Sequence, residues 1–142
     1  MFKHKVLICT LLILTVVLVP TSIALAKGGK IVGPTGGAST YSLTINKTNP
    51  SINQTVRIKL NLKVDGKKAQ SGLVEHIDIL SDGGVVIATL DATTNSSGKA
   101  RWTFKFRDIT YAVPGSVFTI KCYGENGTGT ITEFGSFVVT IR

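Results

Sequence analysis

From residue 41 onward, apolar and polar residues alternate one by one. Tyr41, Leu43 and Ile45 are separated by Ser42 and Thr44. Val56, Ile58, Leu60, Leu62 and Val64 then alternate with Arg57, Lys59, Asn61 and Lys63. A period of two puts one set of side chains on each face of a strand. The second run therefore predicts a strand with one apolar and one basic face. Asp65-Gly66 closes it with a turn signal. Further strands are predicted over 74–81, 85–90, 100–106 and 116–123, with a last one running through Phe134, Phe137, Val139 and Ile141. Asp82-Gly83-Gly84, a polar stretch at 91–98, Pro114-Gly115 and Asn126-Gly127 punctuate them. No stretch in this region carries the apolar spacing of an amphipathic helix.

About seven short strands with turn signals every 8–12 residues predict two stacked antiparallel sheets. The fold class expected is all-β, an immunoglobulin-like antiparallel β-sandwich over residues 41–142. Trp102, Phe104, Phe106, Phe118, Phe134 and Phe137 are its expected core. Cys122 shares a strand side with Phe118 and Ile120, so it is expected buried, as a small hydrophobe.

The first 26 residues read differently. Lys3, His4 and Lys5 precede an uncharged run over 6–19, Pro20 breaks it, and Ala24-Leu25-Ala26 supplies small residues. That is the pattern of a secretory signal peptide at 1–26, cut after Ala26. An uncleaved membrane anchor is the alternative, because the sequence stays uncharged from Val6 to Ala26, just long enough to span. Residues 27–40 hold five glycines, Gly28, Gly29, Gly33, Gly36 and Gly37, and are expected to form a flexible arm. Cys9 leaves with the leader, so no intrachain disulfide is available to the exported domain.

The chain has 16 Lys and Arg against 8 Asp and Glu. Loss of Lys3 and Lys5 leaves 14 against 8, a balance of +6. A basic exported domain meets anionic partners, such as cell-surface polymers or acidic glycans. Immunoglobulin topology makes the second and fifth strands neighbours in one sheet. That would gather Arg57, Lys59, Lys63, Arg101 and Lys105 on one outward face as a candidate anionic-ligand surface. Nucleic acid is not expected, since the domain is exported and no aromatic is interleaved on that face.

From about Gln54 to Arg142 the chain resembles the immunoglobulin-like domains of bacterial and archaeal surface proteins, the invasin/intimin type in particular. The resemblance rests on Val64-Asp65-Gly66, on Thr93-Thr94-Asn95-Ser96-Ser97-Gly98-Lys99-Ala100 before an aromatic strand, on Pro114-Gly115-Ser116-Val117-Phe118-Thr119-Ile120, and on the last strand from Phe137 to Ile141. It implies a stalk, spacer or adhesion module at the cell surface. This chain departs from the family's tandem arrays in holding one such domain.

Catalysis is not expected. His76 is the one histidine beyond the leader, and no Gly-x-Ser-x-Gly elbow occurs. A concave cluster of His76 with Glu75 or Asp78 would reopen that question. One histidine and one cysteine cannot build a copper or zinc site, and no acidic loop has calcium-ligand spacing, so no metal or cofactor is expected. Asn46, Asn53, Asn95 and Asn126 each begin an Asn-x-Ser/Thr pattern and are candidate glycosylation sites. The resulting expectation is a secreted or surface-associated structural or adhesion module. The alternatives are a polyanion- or carbohydrate-binding module using the basic face, and a filament subunit sharing the Tyr41-Leu43-Ile45 strand with a neighbour.

Overall fold

The computed structural model describes residues 28–34 and 39–142. The expected signal peptide and its cut site lie outside the described residues.

The described chain is all-β: two antiparallel sheets stacked as a sandwich, with one 3-10 turn at Phe106–Asp108. One sheet contains β1 (Gly29–Pro34), β2 (Ser39–Ile45), β3 (Val56–Val64), the two-residue β4 (Lys67–Lys68) and β7 (Lys99–Phe104). β3 is its centre. It pairs with β2 along one edge, and with β7 and then β4 along the other. The second sheet runs β6-β5-β8-β9, from β5 (Val74–Ser81), β6 (Val86–Thr93), β8 (Val117–Glu125) and β9 (Ile131–Thr140). The β3–β7 pairing is the one expected of second and fifth strands in immunoglobulin topology.

The alternation explains the register. In β3, Val56, Ile58, Leu60 and Leu62 are buried, while Arg57, Lys59 and Lys63 are exposed. A slip of one residue would exchange those sets, so burial of the apolar face fixes the pairing. All six aromatics expected in the core are buried, and Phe106 packs edge-on to Phe104 and stacked on Phe118. The Asp65-Gly66 turn has positive φ at both residues, as a type I′ hairpin requires. That turn sets Lys63 opposite Lys68. Gly98 has φ +69°, and a β-carbon there would collide with the Leu62 carbonyl and the Ala69 amide. Glycine is what lets the β6–β7 loop lie this close to β3.

Two sequence expectations are corrected. The stretch read as a flexible arm contains β1, six residues paired in register with β2 from Gly29↔Ile45 to Pro34↔Thr40. Its glycines do not prevent pairing, because Ile31 faces inward opposite Leu43 and packs on the core. β6 continues through Thr93, so 91–93 belong to a strand and not to a loop.

Candidate functional site

The outer face of the β3 sheet is the most strongly charged surface. Lys59 lies directly opposite Arg101 on one side and Thr44 on the other, and Thr44 lies opposite Lys30. One rung across four strands thus holds three cations. Arg57 sits one rung away opposite Thr103, and Lys99 faces Asn61. Lys63 faces Lys68. Neighbouring strands are about 4.8 Å apart and alternate residues along a strand about 7 Å. Seven cations therefore occupy one pleated surface: Lys30, Arg57, Lys59, Lys63, Lys68, Lys99 and Arg101. None of them has a carboxylate partner among the described residues. Neither β1, β2, β3, β4 nor β7 contains an acidic residue.

Four of the five cations expected on this face are brought together by β3 and β7. Lys105 is at its margin: it follows the last residue of β7, is half-buried, and leads into the 3-10 turn. Lys30, Lys68 and Lys99 are additions. Lys99 was legible, because it alternates with Arg101. Lys68 follows from a two-residue turn at Asp65-Gly66. Lys30 was hidden by the glycine content of its strand.

The second sheet has a different outer face. Asp91, His76, Tyr123 and Glu133 form one rung across β6, β5, β8 and β9. His76 Nδ1 is 2.6 Å from Asp91 Oδ1, and its ring stacks on Tyr123 with centroids 5.2 Å apart. The Tyr123 hydroxyl donates to Asp78 Oδ1 at 3.3 Å, and the Thr89 hydroxyl donates to the same oxygen. His76 thus pairs with a β6 carboxylate, while Glu75 points to the opposite side of β5. No concave His76–Glu75 cluster forms. Among the described residues no three His, Cys, Asp or Glu side chains group as a metal site. The charges are consequently segregated: all five acidic residues located in strands belong to the second sheet.

Glu75 is the functional-looking residue that alternation alone did not single out. It has no exposed surface, and both carboxylate oxygens are buried without a hydrogen-bond partner. Gly124 lies beside it in β8, where any β-carbon would overlap the carboxylate. Burial, reinforced by the negative charge of Glu125, raises the Glu75 carboxyl to about 8. Cys122 is also fully buried, and burial followed by the Glu133 charge pushes its thiol well above the usual range.

The Asn-x-Ser/Thr asparagines divide by burial. Asn46, Asn53 and Asn95 are exposed. Asn46 bridges strands, accepting from the Arg57 amide at 2.7 Å, and Asn95 accepts from the amides of Ser97 and Lys99. Asn126 corrects the expectation. It is only 2% exposed, and its Oδ1 accepts from the Thr128 amide and hydroxyl. The folded domain has no room for a glycan there. The Tyr41-Leu43-Ile45 segment is likewise unavailable for donation to a neighbour, because β2 is paired on both edges, by β1 and β3.

No family model and no curated protein matches the chain. Solved structures similar to it include a Bifidobacterium dentium β-glucuronidase complexed with coumarin-3-O-glucuronide, at 16% identity and a TM-score of 0.42, matched over 78% of this chain and 17% of that one. A putative β-galactosidase from Bacteroides fragilis matches at 13% identity and a TM-score of 0.35, over 80% of this chain and 15% of that one. The chain spans less than a fifth of either protein. At these scores neither neighbour bears on activity.

Proposed function

We propose that this protein is an exported, non-catalytic β-sandwich module of the cell surface that holds anionic polymer on the outer face of its β3 sheet. One observation carries the reading. Lys59 opposes Arg101 and Lys63 opposes Lys68 within a face that has no carboxylate. Like charges directly across a ladder destabilise a sheet. Stability alone therefore disfavours this arrangement, whereas a bound polyanion would reverse its sign. The resemblance to invasin/intimin-type domains supports the adhesive or structural side of the reading. β2 pairs on both edges within the chain, with β1 and β3, which gives the strand-sharing alternative no support. The exposed Asn46, Asn53 and Asn95 are compatible with a glycoprotein.

Retention on an immobilised phosphate-rich polymer, eluted with salt, tests the proposal. Binding should weaken steeply as salt rises, because surface charges are screened beyond about 8 Å at physiological ionic strength. Lys59→Glu with Arg101→Glu should elute the protein at much lower salt, and adding Arg57→Glu and Lys63→Glu should abolish retention. Reversal of Lys121, exposed on the other sheet, should change little. Equal elution of the wild type and the fourfold variant would remove the idea.

A further inference from the structure

The sandwich's edge strands differ in how they are defended against another chain. An edge strand presents a row of unpaired N–H and C=O groups, and proline, glycine, bulges and lysine are what blunt it. β1 contains Gly29, Lys30, Gly33 and Pro34. β7 has six residues and carries Lys99 and Arg101. β9 is interrupted where its register with β8 shifts, next to Gly135, and Ile31 of β1 lies against that glycine. β6 is different. Its sequence, VIATLDAT, has no proline, glycine or lysine, and its far edge pairs with no strand among the described residues. The one irregularity is at Ile87, near its start, and the register from Ala88 to Thr93 is unbroken.

The direction of its backbone groups follows from the hydrogen bonds beside it. The Thr94 amide donates to the Leu73 carbonyl at 3.0 Å, and the Thr94 carbonyl accepts from Gly72 at 2.8 Å. Counting back in twos, Ala92, Leu90 and Ala88 direct their backbone groups toward β5. Thr93, Asp91 and Thr89 direct theirs to the open edge. The side-chain bonds His76–Asp91 and Thr89–Asp78 agree with this assignment. They join pairs that share no backbone hydrogen bond, where facing side chains come closest.

We infer that β6 pairs antiparallel with β6 of a second copy of this chain, across a two-fold axis at Leu90, so that two four-stranded sheets become one of eight strands. The sequence is self-complementary in that register. Thr89 exchanges backbone hydrogen bonds with Asp91 of the other copy, and Asp91 with its Thr89. Leu90 meets Leu90 on the inner side, flanked by Ala88 against Ala92. These three apolar residues are only partly buried in one copy, although they pack on its core. Asp91 is the only charged residue in the strand, and it faces a threonine instead of its own counterpart. Like charges therefore do not oppose the pairing, and the same patch serves both partners, as an isologous interface requires. A two-fold axis between antiparallel strands stands perpendicular to the sheet, so both basic faces would lie on one side of the dimer. If the polymer reading above also holds, one polymer could engage both faces and gain avidity; the pairing itself does not depend on it.

The interface is one strand wide, so the dimer is a weak one. Sedimentation of the purified protein should show reversible association as concentration rises. Amide hydrogen exchange should show Thr89 and Asp91 protected at high concentration, and exposed after about a hundredfold dilution. Thr89→Pro removes an N–H that faces only the open edge, so the β5–β6 ladder survives it. This variant should weaken association at least about tenfold. A wild-type protein that stays monomeric, or one that associates while Thr89 and Asp91 still exchange freely, would overturn the inference. The wild-type exchange measurement decides the matter even if the proline variant does not fold.

Discussion

Replacing Glu75 by glutamine tests the physics of the core at the point where it departs from apolar packing. Glu75 is fully buried, flanked by Ala92 and Gly124, with neither oxygen hydrogen-bonded. Its carboxyl is raised from 4.5 to about 8, first by burial and then by Glu125. In the unfolded chain the same group ionises near its ordinary value, so over the range between the two values folding takes up a proton. The stability this supplies is fully present below about pH 4.5, and it is lost as pH rises to about 8. At about 1.4 kcal/mol per pH unit, the full loss is about 5 kcal/mol, of which about 4 falls between pH 5 and pH 9. Glutamine keeps the shape and cannot ionise. Urea unfolding of both proteins at pH 5, 7 and 9 is the assay. The two should agree within about 1 kcal/mol at pH 5, and the glutamine variant should be more stable by about 3–4 kcal/mol at pH 9. Parallel stability curves would show that Glu75 is not held as the neutral acid, and would refute the reasoning.

Two further outcomes follow from the same packing. Gly98→Ala places a side chain on a left-handed residue and drives its β-carbon to 2.6 Å from the Leu62 carbonyl. It should cost more than about 2 kcal/mol and lower the Tm by about 10 °C in a thermal melt; an unchanged Tm would mean that the loop moves freely away from β3. Cys122 is fully buried, and its thiol is held protonated by burial. A thiol reagent at pH 8 should therefore label it only as fast as the domain opens, and rapid labelling under native conditions would contradict its place in the core.

How much of this was legible in the chain depended on whether a feature is local. β3 was readable to the residue, because an apolar–basic alternation nine residues long admits one register when one face is buried. The aromatic core followed for the same reason. The basic face was readable in part: Arg57, Lys59 and Lys63 share one strand, and Arg101 joins them through a known neighbour relation. β1 was missed because glycine is a poor strand former in isolation, and only pairing with β2 and the cover of Ile31 make that segment a strand. The limits of β6 were missed because the polar residues at 91–93 resemble a loop until β5 lies beside them.

The sequence by itself determined which side of each strand is apolar, and hence an all-β sandwich with charge left on its outer surfaces. Alternation is a property of neighbouring residues, and burial acts on it directly. Only the tertiary structure decided which distant residues share a rung. It set Asp91 on His76, Lys30 on the rung of Lys59 and Arg101, Glu75 in a dry site beside Gly124, and Asn126 out of reach of a glycan. Those juxtapositions depend on strand order and on single-residue shifts such as the one after Ile79. Such shifts are set by how two sheets fit together, and no local run of residues encodes that fit.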